Sequence, residues 1–183
     1  PEAVLTPQEP ITLLLHKPAG QTPEQAEQLL NKASQSALDL SEVRPLQRHF
    51  ERLTLCLALD TDACGLQVFT QNWSVSRKLS DDASKLEQEF IVEVSGALQA
   101  HGLKRLAHGL NFRGKPLAPC KVSWQNETRL RFALKNPLPG QLRHMCESVG
   151  LTVISLKRIR IGGVSMGKLG NAQWRYLAGK EKF

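Results

Sequence analysis

The chain has 183 residues, a mass of 20.3 kDa and a formal net charge of +7, with 41% hydrophobic and 22% charged residues. This balance excludes an intrinsically disordered chain and is typical of a globular protein with one sizeable domain. No apolar run approaches the roughly 20 residues that cross a bilayer, and the N-terminus does not resemble a signal peptide, so we expect neither membrane insertion nor secretion.

The first predicted elements are a strand and a helix. Apolar residues at 11–15 predict a buried strand, which ends at a Pro-containing, Gly-containing turn. Thr22, Pro23 and Gln25 form the pattern of a helix start, with Thr22 as the cap and Gln25 completing a capping box. Apolar residues at helical spacing continue this predicted helix to Ala33.

The next stretch places a carboxylate at the end of a predicted strand. Leucines alternate with other residues over 53–60, which is the period-two pattern of a strand, and Asp60 is its last residue. Residues 61–65 are typical of a turn, and 66–70 of a strand returning from it. A carboxylate in this position is well placed to face a cleft, but the same position also suits an aspartate that only hydrogen-bonds turn amides.

The rest of the chain predicts strands with interspersed helices. Strands predominate and no regular βαβ alternation is present, so we predict a mixed α+β fold. In chain order the predicted elements are a strand at 90–94, a helix at 98–110, a strand pair at 121–124 and 128–134, a helix at 141–149 and a strand at 151–161.

Charge is distributed unevenly along the sequence. Residues 1–100 carry 8 Lys and Arg against 14 Asp and Glu, whereas residues 101–183 carry 16 against 3. The basic second half favours a polyanionic partner such as a nucleic acid. A solvated basic surface that only aids solubility would explain the same counts equally well.

Several kinds of active site are excluded by the absence of their motifs. The sequence contains no P-loop, dinucleotide-binding, nucleophile-elbow or zinc-protease motif. Its four cysteines form no CxxC pair and its five histidines have no metal-ligand spacing, so we expect no zinc site, and reduced thiols in a cytosolic compartment. The chemically interesting group that remains is the Asp60 carboxylate, with arginines elsewhere.

Four blocks of the sequence carry a resemblance to a known family. They are ITLLLHKPAG at 11–20, LALDTDACGLQVFTQ at 57–71, KLEQEFIVEVSG at 85–96 and PGQLRHMCESVGLTVISLKRIRIGGVSMGKLGNAQWRYL at 139–177. In order and spacing they resemble the catalytic domain of ribosomal RNA pseudouridine synthases of the RsuA/RluB type. The resemblance implies the pseudouridine synthase fold, an α+β fold with a mixed, mainly antiparallel central sheet flanked by helices and an RNA-binding cleft.

The resemblance also implies a domain organisation. It covers residues 11–178, which we expect to form one catalytic domain of two lobes that share a sheet, with a boundary near residue 100. Residues 1–10 are then an N-terminal extension or linker, and 179–183 a C-terminal tail. No segment resembles the N-terminal S4-like RNA-binding domain that family members commonly carry, so either the chain is a fragment or it docks RNA differently. Nothing in the pattern suggests an obligate dimer, and we expect a monomer.

By position, the resemblance assigns candidate site residues. Asp60 matches the catalytic aspartate, Arg143 matches the basic residue that pairs with it, and Phe90 stands where the family has an active-site tyrosine. The predicted substrate-binding residues are Lys17, Asp62, Gly65, Arg158 and Arg160.

The implied reaction detaches uracil from ribose and rejoins it through carbon 5, without a metal or an organic cofactor. An ionised carboxylate can serve as the nucleophile, on either the sugar or the ring. A nearby guanidinium would keep the carboxylate ionised and oriented. The ring of Phe90 can stack on an extruded base, and phosphate contacts from basic side chains can offset the cost of extrusion.

Two differences from the family leave a second interpretation open. Ala58 stands where the family has an arginine, and Phe90 lacks the hydroxyl of the usual tyrosine. Arg44, Arg48 and Arg52 are candidates to supply the missing positive charge. The leading hypothesis is an RNA uridine isomerase that uses Asp60, and the alternative is a non-catalytic RNA-binding or ribosome-assembly protein that retains the fold.

Overall fold

Strands account for most of the regular structure in the computed structural model, which describes residues 8–183. Most of the predicted N-terminal extension, residues 1–7, lies outside the described residues. The strands are β1 (Thr12–Lys17), β2 (Thr54–Cys56), β3 (Cys64–Thr70), β4 (Glu87–Ser95), β5 (Asn111–Phe112), β6 (Lys115–Pro116), β7 (Lys121–Trp124), β8 (Arg129–Lys135), β9 (Thr152–Ile161), β10 (Val164–Ser165) and β11 (Trp174–Tyr176).

The helices in this part of the chain are short and flank the strands. The α-helices are α1 (Pro23–Ala26), α2 (Trp73–Asp81), α3 (Gly102–Ala107) and α4 (Gln141–Ser148), and single 3-10 turns lie at Glu27–Leu29, Lys32–Ser34, Gln47–Phe50 and Ala83–Lys85. No helix among the described residues is both long and apolar enough to span a bilayer.

Nine of the strands form one mixed sheet. Its order is β11-β1-β3-β9-β4-β8-β7, with β10 beside β9 and β2 beside β3, while β5 and β6 form a separate hairpin. Strands β3 and β9 pair in parallel, and the other pairs of this sheet are antiparallel. The predicted α+β fold with a mixed, mainly antiparallel sheet and flanking helices is therefore confirmed.

The two halves of the sequence share one apolar cluster. Alternate residues of β4 are buried, as the period of a strand requires, and they face the apolar side of α4. Leu59 and Ala63, which flank Asp60, pack in the same cluster as Leu142 and Met145 of α4. This packing brings the Asp60 turn against the start of α4.

The first predicted helix begins as expected and ends early. The capping box is confirmed, since the Thr22 hydroxyl accepts from the Gln25 N–H at 3.1 Å and the Gln25 side chain accepts from the Thr22 N–H at 3.0 Å. The helical turns end at Leu29, whereas the prediction extended to Ala33. The Asn31 side chain accepts from the N–H groups of Ala33 and Ser34 and so begins a separate turn.

The predicted strand at 53–60 is much shorter in the structure, where only Thr54–Cys56 is extended and paired. Leu57 has a positive φ of 48°, which turns the backbone out of the sheet. Asp60 therefore follows an irregular segment, residues 57–59, instead of ending a strand.

Other elements differ less from their predictions. The predicted helix at 98–110 is confined to Gly102–Ala107, since His101 has a φ of 59° and cannot extend it backwards. Helix α2 and strand β11 were not predicted.

The predicted C-terminal tail, 179–183, packs against the sheet. The Arg175 guanidinium forms a two-pronged ion pair with Glu181, at 2.6 and 2.9 Å, and Phe183 packs against a buried apolar cluster.

Candidate active site

A cavity of about 350 Å³ opens between the Asp60 turn and the loop that precedes α4. Its walls come from the 57–63 segment, from β4, from the 136–140 loop with the start of α4, and from β9. Asp60, Asp62, Phe90, Arg143 and Arg158 all line it. Five of the eight predicted site residues, far apart in sequence, therefore meet at one concave surface.

The Asp60 carboxylate is held by the backbone at the start of α4. Its Oδ2 accepts a hydrogen bond from the Gly140 N–H at 3.0 Å. Gly140 is the N-cap of α4 and has a φ of 78°, a conformation that favours glycine. The N-terminus of a helix attracts negative charge, so this contact suits an ionised carboxylate. Within residues 8–183, Oδ1 of Asp60 has no hydrogen-bond partner, which leaves one oxygen available in the cavity wall.

The guanidinium of Arg143 pairs with the second acid of the turn. Its Nη2 donates to Oδ2 of Asp62 at 2.6 Å. The predicted direct pair between Arg143 and Asp60 is not formed, because the structure gives the two acids different partners on α4. Arg143 and Asp60 nevertheless line the same cavity. The Arg143 guanidinium therefore shares the cavity with Asp60 but does not bond to its oxygens.

A second guanidinium lies buried in the cavity wall. The Arg158 residue is only 2% exposed, and it donates to the carbonyls of Leu57 and Leu66, both at 2.7 Å, and to the Gln88 side chain at 3.2 Å. Burial lowers the pKa of Arg158 to about 9, and the nearby negative charge of Asp60 acts in the opposite direction. At neutral pH this group is therefore a buried cation bonded only to neutral acceptors, with Asp60 as a charged neighbour.

Arg158, predicted to bind substrate, lies in the cavity wall, and most of its donors are engaged by protein acceptors. Its bond to the Leu57 carbonyl holds the irregular segment that leads to Asp60. The Gln67 side chain holds the same segment, accepting from the Leu59 N–H at 2.9 Å and donating to the Cys56 carbonyl at 2.8 Å. These buried polar contacts fix the backbone on which Asp60 stands.

Lys17 also has a different task from the predicted one. The residue is fully buried, and its ammonium donates to the carbonyls of Pro18, Gln21 and Thr61 at 2.8, 2.7 and 3.3 Å. Burial lowers the pKa of Lys17, while the nearby thiol of Cys64 and the carboxylates of the Asp60 turn act against this shift. Lys17 therefore ties β1 to the turn and has no donor left for a substrate.

Gly65 and Arg160 lie outside the cavity lining. A Cβ at Gly65 would lie 2.2 Å from the carbonyl oxygen of Arg158, so glycine is needed here for the close approach of β3 to β9. Arg160 lies on β9 and faces Glu89 of β4, with 3.6 Å between the Arg160 Nε and a carboxylate oxygen. Neither residue contacts the space beside Asp60.

Ala58 and Phe90 are the two residues that differ from the family pattern. Ala58 is exposed at the edge of the cavity, whereas Phe90 lies in its wall and is only 3% exposed. Arg44, Arg48 and Arg52 do not line this cavity, and the latter two border a separate cavity. The guanidinium groups at the cavity are instead those of Arg143 and Arg158.

Sequence reasoning missed several residues that shape the cavity. Gln67 and Gln88 are polar residues at buried strand positions, and a polar residue at such a position indicates that its side chain makes a hydrogen bond. No sequence pattern predicts the contribution of the Gly140 N–H or of the Leu156 side chain, because both reach the cavity only through the tertiary fold.

No family model matches the chain, but individual proteins do. It is 29% identical over 133 residues to the dual-specificity RNA pseudouridine synthase RluF of Escherichia coli, which covers 73% of this chain and 46% of the relative. It is 28% identical over 137 residues to the ribosomal large subunit pseudouridine synthase E of Vibrio parahaemolyticus, covering 65% of this chain and 58% of the relative. It is 26% identical to an uncharacterized RNA pseudouridine synthase of Aquifex aeolicus over 178 residues, 96% of this chain and 71% of the relative. The chain spans about half the length of the RluF proteins it matches.

Solved structures agree on the fold. A crystal structure of a pseudouridylate synthase superposes with a TM-score of 0.75 at 20% identity, over 93% of this chain and 71% of the other. The archaeal box H/ACA sRNP Nop10-Cbf5 complex gives a TM-score of 0.54 at 13% identity, over 85% of this chain and 49% of the other. The resemblance read from the sequence is thus confirmed: the chain is similar in sequence to RNA pseudouridine synthases such as RluF, and it has the pseudouridine synthase fold.

Proposed function

We propose that this chain isomerises uridine to pseudouridine in RNA, with Asp60 as the nucleophile and ribosomal RNA as the substrate class. The observation that carries the proposal is the meeting of Asp60, Arg143 and Phe90 at one open cavity. Its volume of about 350 Å³ falls within the range of roughly 300–1,000 Å³ that is typical of small-molecule sites. A single extruded nucleotide is a ligand of that class.

The proposed reaction needs few groups from the protein besides a correctly positioned carboxylate. The bond between ribose C1′ and uracil N1 breaks, the base turns, and a bond forms between C1′ and C5. The proton on C5 is lost to solvent and N1 gains one, so product and substrate are isomers and no electrons are exchanged. The free Oδ1 of Asp60 is the proposed nucleophilic atom, since Oδ2 already accepts a hydrogen bond from the Gly140 N–H. The bond that Oδ1 forms, to the sugar or to the ring, breaks again before the product leaves, so the carboxylate is regenerated.

The surrounding groups have separate roles in the proposal. Arg143 and Arg158 supply positive charge in the walls of the cavity that Asp60 lines. Arg158 acts as a positioning residue: it lies in the cavity wall, but its hydrogen bonds hold the Leu57 and Leu66 carbonyls and the Gln88 side chain. Phe90 and Leu156 offer apolar walls against which a uracil ring can pack. The hydroxyl that a tyrosine would add at position 90 is not part of this scheme.

The names of the relatives and the charge of the chain support an RNA substrate. All three reported relatives are named for RNA or for the large ribosomal subunit. The excess of basic residues after residue 100 provides partners for phosphates. With ribosomal RNA as substrate, the place of action would be the cytoplasm. The retained Asp60 cavity favours the enzyme over a non-catalytic RNA-binding protein.

The test is release of tritium from ribosomal RNA that carries 5-tritiated uridine. The wild-type chain is expected to release tritium, and the Asp60→Ala variant is expected to release none above background. Asp81→Ala, which removes an exposed carboxylate on α2, is the matched control and should behave as wild type. Equal release by wild type and Asp60→Ala would refute Asp60 as the nucleophile. No release by wild type from any ribosomal RNA would support the non-catalytic alternative.

A further inference from the structure

A second, larger groove lies on the other side of the loop that borders the Asp60 cavity. Its volume is about 920 Å³. One wall is the β5–β6 hairpin with the segment that follows it to Lys121, and the other is the end of β8 with the first turns of α4. We call it the hairpin groove. The proposed reaction does not use it.

The hairpin groove and the Asp60 cavity share a wall. Asn136, Leu138 and Gln141 line both spaces. Leu138 is 49% exposed, so it presents apolar surface on the wall between the two spaces. A chain that places one unit in the Asp60 cavity can therefore cross this loop and continue directly into the groove.

The rim of the groove is basic. Four basic side chains, Arg113, Lys115, Lys121 and Lys135, line it together with one acidic side chain, Glu87. Within residues 8–183, the only ion pair on this rim joins Lys121 to Glu87, at 3.8 Å. The other three cations have no carboxylate partner in that part of the chain. Such a surface attracts a polyanion and repels a basic partner.

The groove also offers planar groups. The Arg113 guanidinium lies over the Phe112 ring, 4.9 Å from its centre, and both residues line the groove. The His144 ring of α4, which is not part of the groove lining, packs against Phe112 at an angle of 49°, with 5.2 Å between the ring centres. Proteins that hold single-stranded nucleic acids combine basic grooves with flat side chains on which bases stack. An acidic peptide would use the charges but would not need the flat groups of Phe112 and Arg113.

We propose that the hairpin groove binds the single-stranded RNA next to the nucleotide held in the Asp60 cavity, with Lys115 and Lys135 contacting its phosphates. This inference rests on the proposed function for the identity of the polymer, and it adds a path for the strand. The 136–140 loop then separates the reacting nucleotide from its neighbours, and bases adjacent to the target stack at Phe112.

The experiment measures binding of a fluorescein-labelled single-stranded oligouridylate by anisotropy, over a series of salt concentrations. The Asp60→Asn background prevents turnover during the measurement. The groove variant combines Lys115→Glu with Lys135→Glu, and the matched control combines Lys32→Glu with Lys180→Glu, two exposed lysines that line neither cavity. The groove variant should bind about tenfold more weakly at moderate salt, and its salt slope should fall by about one for each phosphate that it no longer neutralises. The control should keep most of the affinity.

The outcomes separate this proposal from the proposed function. Equal losses of affinity in the groove variant and in the control variant would refute the groove, because they would reflect net charge alone. A groove variant that binds as well as its parent would also refute it, whether or not the wild type releases tritium. A selective loss of affinity in the groove variant supports the groove even if the wild type releases no tritium, and only the catalytic proposal then fails. Photo-crosslinking of an oligomer that contains 4-thiouridine gives an independent readout. We expect the crosslinked residues to lie within 111–121. Crosslinks confined to other surfaces would overturn the proposal.

Discussion

Arg143 bonds to Asp62 across 2.6 Å, while Asp60, two residues earlier in the same turn, is bonded to the Gly140 N–H at 3.0 Å. The two acids therefore contact the same end of α4 through different groups, one through a side chain and one through the backbone. This double contact docks the turn on the helix. It leaves the second oxygen of Asp60 free, with a guanidinium close by in the cavity wall.

We predict that Arg143→Ala lowers catalysis far more than it lowers stability. The Arg143–Asp62 pair is exposed, with 39% and 61% of the two side chains accessible, and such pairs contribute about 0–1 kcal/mol to folding. Loss of the charge beside Asp60 should reduce the rate of tritium release roughly 100-fold, as removal of one preorganised electrostatic group does in other enzymes. Thermal unfolding should shift only slightly.

The matched control for this prediction is Arg77→Ala. Arg77 pairs with Asp81 at 3.0 Å on α2, and both side chains are similarly exposed, so its removal costs a comparable interaction away from the cavity. Equal tritium release by the Arg143 and Arg77 variants would show that Arg143 has no part in the reaction.

We predict that Arg158→Met destabilises the chain by about 3 kcal/mol or more, because it leaves the acceptors of Leu57, Leu66 and Gln88 buried without donors. Chemical unfolding measures this change in stability.

Arg158→Lys keeps the charge but cannot reproduce the planar array of donors. We expect it to restore part of the stability and to lower kcat more than it raises KM, since the substrate is not contacted. A change confined to KM would instead indicate direct substrate binding.

The sequence predicted the fold more fully than it predicted the site. Strand periods, the capping box at Thr22 and the hairpin of β7 and β8 are local patterns, and local patterns are readable because side-chain periodicity decides which face is buried. The resemblance blocks then supplied Asp60, Phe90 and Arg143, which the structure brings to one cavity.

Contacts between distant segments could not be read in the same way. The alternating leucines before Asp60 predicted a strand through residue 60, yet Gln67 and Arg158 bind the backbone of residues 56–59 and hold it out of the sheet. Lys17 and Arg158 look like substrate-binding cations in a sequence, because charged residues are mostly exposed and the sequence does not show which protein acceptors surround them. The structure shows that their donors are engaged by the protein itself.

We predict that Gly65→Ala prevents folding or lowers stability severely. Its φ is 108°, and the added Cβ would meet the Arg158 carbonyl oxygen at 2.2 Å and the Arg158 nitrogen at 2.7 Å, both backbone atoms. The parallel pair of β3 and β9 would have to separate. Gly109→Ala is the control, since Gly109 has a φ of 116° and nothing lies within 4 Å of its Cβ position. The control should cost only the positive φ, about 1 kcal/mol, and similar expression and unfolding of both variants would contradict the argument.

We predict that folding stability falls as the pH is lowered from 7 to about 5.5. His16 and His49 are buried, with ring nitrogens bonded to the Leu169 carbonyl and the Tyr176 hydroxyl. Burial lowers the pKa of both histidines. Below about pH 6.5 the unfolded chain therefore binds protons that the folded chain does not, so stability is lost as the pH falls, by at most about 1.4 kcal/mol per pH unit for each histidine.

Urea unfolding at several pH values measures the slope of stability against pH. His49→Gln should reduce that slope, while His108→Gln, at an exposed position, should leave it as in the wild type. A stability that does not change over this range would show that neither buried ring resists protonation.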